Sequence, residues 1–180
     1  MHVKTKKLAV SGLLMALAVV LIVLSGVLDF NTLFFLAAAA FFIGIIVREF
    51  GLKYGAAFFI GCVLLGFVFA PQKLYCITYG MMGIYVLGVE FFWYFLGLHA
   101  QWKRKKLLLT AGKVLLFNLM YIPALLLFPK LLFAGDISRT MILVFILGGQ
   151  LALFLFDRAY DYFLIQMWGQ MRNKLFGNEN

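Results

Sequence analysis

Six long apolar runs, separated by short polar connections, dominate the chain. Because about 20 helical residues span the roughly 30 Å hydrocarbon core of a bilayer, runs of this length predict transmembrane helices. After the sixth run, apolar residues continue at helical spacing and predict a cytoplasmic helical tail that ends near residue 175. The sequence therefore predicts an all-α integral membrane protein, in which residues 1–180 form a single compact bundle of six transmembrane helices. The predicted spans are about 8–28, 33–47, 54–70, 74–97, 110–132 and 140–160.

Small residues on the first and third spans predict close contacts between helices. Gly12 and Ala16 stand about one turn apart on the first span, and Gly55, Gly61 and Gly66 follow one another along the third. Small side chains let neighbouring helix backbones approach closely in a membrane. We therefore expect the glycine-rich third span to lie at the centre of the bundle.

Composition and charge agree with this fold and give it an orientation. Hydrophobic residues make up 65% of the chain, whereas soluble domains average about 45–50%. The net charge is +9, and all but three of the 16 Lys and Arg residues lie in alternate connections and at the termini. The exceptions are Lys73, Lys130 and Arg139. This asymmetry is typical of the positive-inside rule, so we expect a multi-pass protein of a bacterial plasma membrane with both termini in the cytoplasm.

The basic clusters indicate contact with lipid. The densest of them, Lys103–Lys106, flanks a membrane span and does not cover a soluble domain. Anionic lipids of the bilayer attract such clusters, whereas a nucleic-acid interface needs a basic patch on a folded domain. We therefore expect the lipid bilayer, and no nucleic acid, among the partners.

The sequence contains no familiar catalytic motif and no metal-binding spacing. The two histidines, His2 and His99, fall at the predicted cytoplasmic edge, apart from other possible ligands. Cys62 and Cys76 lie inside apolar runs, where cysteine is usually a small buried hydrophobic residue. We expect neither enzymatic activity nor a metal or cofactor.

Polar and aromatic residues collect toward the predicted outer face. On the fourth span, positions 75, 78, 79, 82 and 85 approximately follow i, i+3, i+4, i+7 spacing and are expected to share one face. An apolar pocket with a few hydroxyl groups is typical of small-molecule sites, although tyrosines also gather at membrane interfaces as a belt. The candidate solute-binding residues are Tyr75, Thr78, Tyr79 and Tyr85 on this span, with Asp29, Asn31, Asn118, Tyr121 and Arg139 from elsewhere in the chain.

Glu90 lies in the inner third of the fourth span. A carboxylate is costly in a membrane unless it is paired, and Arg48 or Lys113 could supply the partner. We therefore expect Glu90 to have a structural role, and a proton-coupled carrier that uses Glu90 is the alternative. Asn118 could likewise serve as an interhelical hydrogen-bonding group instead of a ligand contact.

The layout of the chain resembles that of S components, the substrate-binding membrane subunits of energy-coupling factor (ECF) transporters. The resemblance covers nearly all 180 residues and rests on general features of sequence and order. These are the basic start KTKK, the first span AVSGLLMALAVVL, a short alanine-rich second span, the connection REFGLKYG and a glycine-rich third span.

This resemblance implies that the protein binds a vitamin or related micronutrient near the outer face. It also implies docking on a transmembrane T component that is energised by two cytoplasmic ATPases. Family members dock through an Ala-x-x-x-Ala motif on the first span. Gly12-x-x-x-Ala16 matches that motif with glycine in the first position, which keeps the helix surface smooth.

The chain is also similar in length and span count to the rod-shape-determining membrane protein of cell-wall elongation. That resemblance would imply a non-catalytic scaffold, which binds partner proteins and has no solute cavity. The polar positions on the fourth span and the connection Asp29–Thr32 favour the transporter subunit.

Overall fold

The computed structural model describes residues 3–28, 31–98, 105–127 and 139–176, and nearly all of them are helical. Five helices are long and apolar enough to cross a membrane, which confirms the prediction of an all-α, multi-pass membrane protein. The sixth predicted span corresponds to a helix of 24 residues. The elements are α1 (Val3–Val27), α2 (Thr32–Phe50), α3 (Leu52–Phe69), α4 (Lys73–Leu98), α5 (Lys105–Leu127), α6 (Arg139–Tyr162), a π-helical segment (Phe163–Trp168) and α7 (Gly169–Phe176).

Helix α2, and not α3, forms the centre of the bundle. Every residue from 39 to 47 is buried. Half of the α2 span is buried, against 22% of the α3 span. The prediction that the glycine-rich third span lies at the centre is therefore wrong. The alanines at positions 37–40 and Gly44 keep α2 thin enough for α1, α3 and α4 to pack around it.

The glycines of α3 serve two neighbouring helices. Gly55 lies against Val47 of α2. Gly61 lies against Met15 of α1, and Gly66 lies against Ile22 of α1. The large side chains on the remaining surface of α3, such as Phe67, are exposed. Helix α3 therefore packs on α1 and α2 largely through small residues and turns many of its bulky residues outward, toward the expected position of lipid, although Phe58 is buried.

Two short connections hold α2, α3 and α4 side by side. Gly51 joins α2 to α3 at φ +96°, a left-handed conformation that suits glycine, and its N–H donates to the Val47 carbonyl at 2.8 Å. At the other end of α3, the Lys73 ammonium donates to the carbonyls of Phe67 and Ala70. These bonds satisfy carbonyl groups that the end of a helix would otherwise leave without partners.

Basic residues mark one end of the bundle in the part of the chain that the structure describes. The end at which α2 gives way to α3 carries Arg48, Lys53, Lys105 and Arg172, and is called the basic end below. The positive-inside rule predicts that the basic end faces the cytoplasm.

The C-terminal helical tail packs on the bundle through a narrow stripe. Tyr160, Leu164 and Trp168, spaced four residues apart, are buried, whereas Met167 and Met171 are exposed. The buried face of the tail is therefore narrower than the apolar face that the sequence predicts. The π-helical segment lies within this stripe, between α6 and α7.

Candidate functional site

A cavity of about 390 Å³ lies between α4, α5 and α6. This volume falls within the range of about 300–1,000 Å³ that is usual for small-molecule sites. Three methionines and three phenylalanines give the wall its apolar character. The lining residues are Thr78, Met81, Met82 and Tyr85 of α4, Phe117, Met120 and Tyr121 of α5, and Phe145, Gly148, Gly149, Ala152, Leu153 and Phe156 of α6.

The cavity brings together three of the predicted binding residues, Thr78, Tyr85 and Tyr121. On α4, positions 78, 81, 82 and 85 follow i, i+3, i+4, i+7 spacing, so one face of the helix forms this wall. Tyr121 of α5 was among the predicted residues, whereas no residue of the α6 wall was. The signal for α6 was Gly148, where a Cβ would meet no described atom within 4 Å.

The two other predicted residues of α4 point away from the cavity. A helix advances about 100° per residue, so Tyr79 is turned well away from Thr78 and packs against Phe59 of α3, with ring centroids 6.1 Å apart. Tyr75 lies against Gly26 of α1. The predicted face of five residues thus divides into a cavity wall and a surface packed on α1 and α3.

The Tyr79 hydroxyl is fully buried without a conventional hydrogen bond. It lies beside the Cys62 thiol, but no described atom meets it with hydrogen-bond geometry. A buried hydroxyl without a partner is unfavourable, because water solvates it in the unfolded chain. Tyr79 therefore packs as an aromatic ring in the α3–α4 contact.

The hydroxyl groups that line the cavity already donate hydrogen bonds to protein acceptors. Tyr121 donates to the Phe145 carbonyl at 2.8 Å. Thr78 donates to the Leu74 carbonyl at 3.3 Å, one turn back along its own helix. The third hydroxyl, that of Tyr85, lies 3.4 Å from the carboxylate of an α6 aspartate. Each hydroxyl therefore offers the cavity mainly an acceptor oxygen.

Two contacts of its ring fix the position of Tyr121. Its ring stacks on Phe117, with centroids 5.0 Å apart and an interplanar angle of 18°. It also fits directly over Gly149 of α6, where a Cβ would overlap the ring. Tyr121 therefore holds α5 and α6 together and also lines the cavity.

A charged cluster lies next to Tyr85 of the cavity wall. Lys113 of α5 is buried and pairs with Asp157 at 2.7 Å, with Asp161 farther away at 3.8 Å. Asp157 also accepts the hydrogen bond from Tyr85, which lines the cavity. Sequence reasoning missed this cluster, although Asp157 within an apolar helical pattern was a usable signal, since buried carboxylates need partners.

Asn118 and Gln150 pair between α5 and α6 beside the cavity. Gln150 donates to the Asn118 carbonyl oxygen at 2.8 Å, and Asn118 donates to Gln150 at 3.3 Å and to the Val114 carbonyl at 2.9 Å. Neither side chain is part of the described lining. Asn118 thus forms the interhelical hydrogen bond that was the alternative to ligand contact.

Glu90 pairs with Arg48, one of the two partners considered from the sequence. Arg48 donates through two nitrogens at 2.8–3.2 Å, and Tyr160 of α6 donates to the same carboxylate at 2.7 Å. The Tyr160 hydroxyl fits over Gly44 of α2, where a Cβ would overlap it. This buried arrangement agrees with a structural role for Glu90, and the part of the cavity that the structure describes does not include it.

The residue after Arg48 makes a second connection at the basic end. Glu49 accepts a hydrogen bond from the indole N–H of Trp168 at 3.0 Å and pairs with Arg172 at 2.9 Å. The C-terminal tail is thereby fixed to the end of α2.

The structure describes the other predicted residues to different extents, and Asn31 is not part of the described lining of the cavity. Asn31 is exposed at the start of α2 with φ +69°, and its carbonyl accepts hydrogen bonds from backbone amides in the first turn. Arg139 is the first residue of α6, and Asp29 lies outside the described residues. Gly12 and Ala16 are both exposed on α1, as a docking surface would require.

Comparisons with known proteins give no family assignment: the chain matches no protein-family model, no curated protein and no solved structure. Among the described residues, no group of three or more His, Cys, Asp or Glu side chains could hold a metal ion. The protein is thus a multi-pass helical membrane protein with an apolar cavity between three of its helices.

Proposed function

We propose that this protein is the membrane-embedded substrate-binding subunit of an uptake system for a vitamin or related micronutrient. In this proposal the solute binds in the cavity between α4, α5 and α6. A T component and two cytoplasmic ATPases of an ECF module supply the energy. The resemblance of the chain to S components supports this assignment of partners.

The cavity is the observation that most directly supports the proposal. A space of about 390 Å³ with aromatic walls and a few hydroxyls has the character of a ligand site. A scaffold of the rod-shape type would have no need for it.

The glycines of α6 also support a ligand site. A Cβ at Gly149 would overlap Tyr121, so that glycine serves packing. A Cβ at Gly148, in contrast, would meet no described atom within 4 Å, although Gly148 lines the cavity. Glycine lowers the stability of a helix by about 1 kcal/mol relative to alanine. Gly148 therefore keeps the space of the cavity free at the expense of helix stability.

The exposed surface of α1 supports the proposed docking on a T component. Gly12 and Ala16 lie on this surface beside the exposed side chains of Leu13 and Leu17. A Cβ at Gly12 would meet no described atom within 4 Å. A partner helix could therefore approach the α1 backbone closely at this step.

The test is to block the cavity without disturbing the bundle. Gly148→Leu places a large side chain in the open space, and leucine is a better helix former than glycine. Gly97→Leu is the matched control, because a Cβ there also meets no described atom within 4 Å and Gly97 lies outside the described lining. Small molecules that survive mild purification are then extracted from each protein and identified by mass spectrometry.

We expect the wild type and Gly97→Leu to retain one compound in near-stoichiometric amount and Gly148→Leu to lose it. Equal retention by all three proteins would show that the compound does not occupy the cavity. Purification of the wild type should also bring down ATPases and a second membrane protein. Recovery of cell-wall proteins without ATPases would support the scaffold instead.

A further inference from the structure

We propose that the cavity selects an uncharged, mainly apolar molecule that contains an aromatic ring and carries at least one hydrogen-bond donor. This inference rests on the proposed function and narrows its substrate class. It follows from three properties of the described wall: its lack of charge, the direction of its hydrogen bonds and its flat aromatic surface.

The described wall carries no charged side chain. An ion that enters such a cavity gives up its hydration, and it gains no compensating ion pair from these walls. The charges of the cluster next to Tyr85, on Lys113, Asp157 and Asp161, are already paired with one another.

The hydrogen bonds of the wall point to a ligand that donates. Thr78 and Tyr121 give their protons to backbone carbonyls, and Tyr85 gives its proton to Asp157. A hydroxyl oxygen that has donated its proton retains lone pairs that can accept a hydrogen bond. A ligand hydroxyl or N–H can satisfy these oxygens, whereas a ligand that only accepts hydrogen bonds cannot.

The shape of the apolar wall favours a ring. Phe117 and Tyr121 stack nearly parallel, and Tyr85 meets Phe117 and Phe156 edge to face with centroids 6.4 and 5.7 Å apart. Methionines at positions 81, 82 and 120 complete the wall. Methionine side chains are flexible and make favourable sulfur contacts with aromatic rings, so they can adjust around a flat ligand.

A series of four compounds with the same ring tests each part of the proposal. The probes are 2-(2-naphthyl)ethanol, its methyl ether, 2-naphthylacetate and 2-(2-naphthyl)ethylamine. They present a neutral donor, a neutral acceptor, an anion and a cation in turn. Binding to the full chain in detergent is measured by naphthalene fluorescence, and the signal of Gly148→Leu under the same conditions is subtracted to remove partition into micelles.

We expect the alcohol to bind at least tenfold more tightly than the carboxylate and at least threefold more tightly than the ether and the amine. Thr78→Val should reduce the preference for alcohol over ether, because it replaces a hydroxyl with a methyl group of similar size. Equal or tighter binding of the carboxylate or the amine would overturn the uncharged class. Equal binding of alcohol and ether would overturn the requirement for a donor, and no binding above the Gly148→Leu signal would overturn the proposal as a whole.

The extraction experiment separates failure of this inference from failure of the proposed function. A compound that is retained by the wild type, lost from Gly148→Leu and identified as an organic anion would overturn the ligand class and leave the binding function intact. A phospholipid retained in the same pattern would overturn both, because the cavity would then hold an acyl chain and no transported solute.

Discussion

Arg48 on α2 and Glu90 on α4 form an ion pair with three donor–acceptor distances of 2.8–3.2 Å. The Glu90 side chain is only 5% exposed, whereas that of Arg48 is 33% exposed. Tyr160 of α6 adds a hydrogen bond to the same carboxylate at 2.7 Å. Three helices that are distant in the sequence therefore meet at one buried charge.

Removal of Arg48 should destabilise the protein strongly. Arg48→Ala leaves the Glu90 carboxylate buried without its cation, and we expect the free energy of unfolding to fall by about 2–4 kcal/mol, less than for a fully buried pair because Arg48 is partly exposed. The measurement is reversible unfolding in mixed micelles. Replacing both residues (Arg48→Met with Glu90→Leu) should recover much of the loss, and the exposed Lys53→Ala serves as the control. A loss no larger than that of Lys53→Ala would contradict the structural role.

The two fully buried tyrosines should respond in opposite ways to loss of the hydroxyl. Tyr160→Phe removes the hydrogen bond to Glu90 and should cost about 1–3 kcal/mol, because the acceptor is charged. Tyr79→Phe removes a hydroxyl without a conventional partner among the described residues, so stability should stay the same or rise. Thermal unfolding of the two variants makes the comparison. A drop for Tyr79→Phe as large as for Tyr160→Phe would indicate that its hydroxyl has a partner.

A methyl group at Gly44 should disturb the centre of the bundle. Gly44→Ala places a Cβ on the Tyr160 hydroxyl, and the adjustment should cost about 1–3 kcal/mol through overpacking and a weakened bond to Glu90. Gly12→Ala is the matched control, because it adds the same group where no described atom lies within 4 Å. Its higher helix propensity should leave stability unchanged or slightly raised. If the two variants have the same melting temperature, the close contact of Gly44 with Tyr160 is wrong.

The two aspartates near Lys113 should contribute unequally. Asp157 lies 2.7 Å from the Lys113 ammonium and is less exposed, whereas Asp161 lies 3.8 Å away. We expect Asp157→Asn to lower the free energy of unfolding by about 2–3 kcal/mol and Asp161→Asn by less than 1 kcal/mol. Chemical unfolding of both variants, at the same protein-to-detergent ratio, measures the difference. Equal losses would show that the lysine is shared evenly between the two carboxylates.

The helices were predictable from the sequence because apolar length is a direct consequence of membrane thickness. The sequence offered two possible partners for Glu90, because a buried carboxylate needs a cation. In the structure Arg48 pairs with Glu90, whereas Lys113 pairs with Asp157. What decides between them is the relative position of α2, α4 and α5. That position depends on contacts between helices far apart in the chain.

The central position of α2 and the division of the α4 residues were not predictable in the same way. Small residues permit close packing on any side, so glycine content alone could not distinguish α3 from α2. On α4, Tyr79 and Thr78 both fit an approximate helical stripe. The two residues differ because Tyr79 lies against α3, whereas Thr78 faces the cavity that α4 forms with α5 and α6. These positions depend on how the helices pack.

Fixing the C-terminal tail to the end of α2 has a consequence for the order of assembly. Arg48, Glu49 and Glu90 are synthesised before Tyr160 and Trp168. The Arg48–Glu90 pair can form before Tyr160 exists, and the tail then closes over a bundle that is already paired. We therefore expect changes in the tail to accelerate unfolding more than they slow folding, as for contacts made after the rate-limiting step. The lifetime of the folded protein would then be set where the tail meets the end of α2.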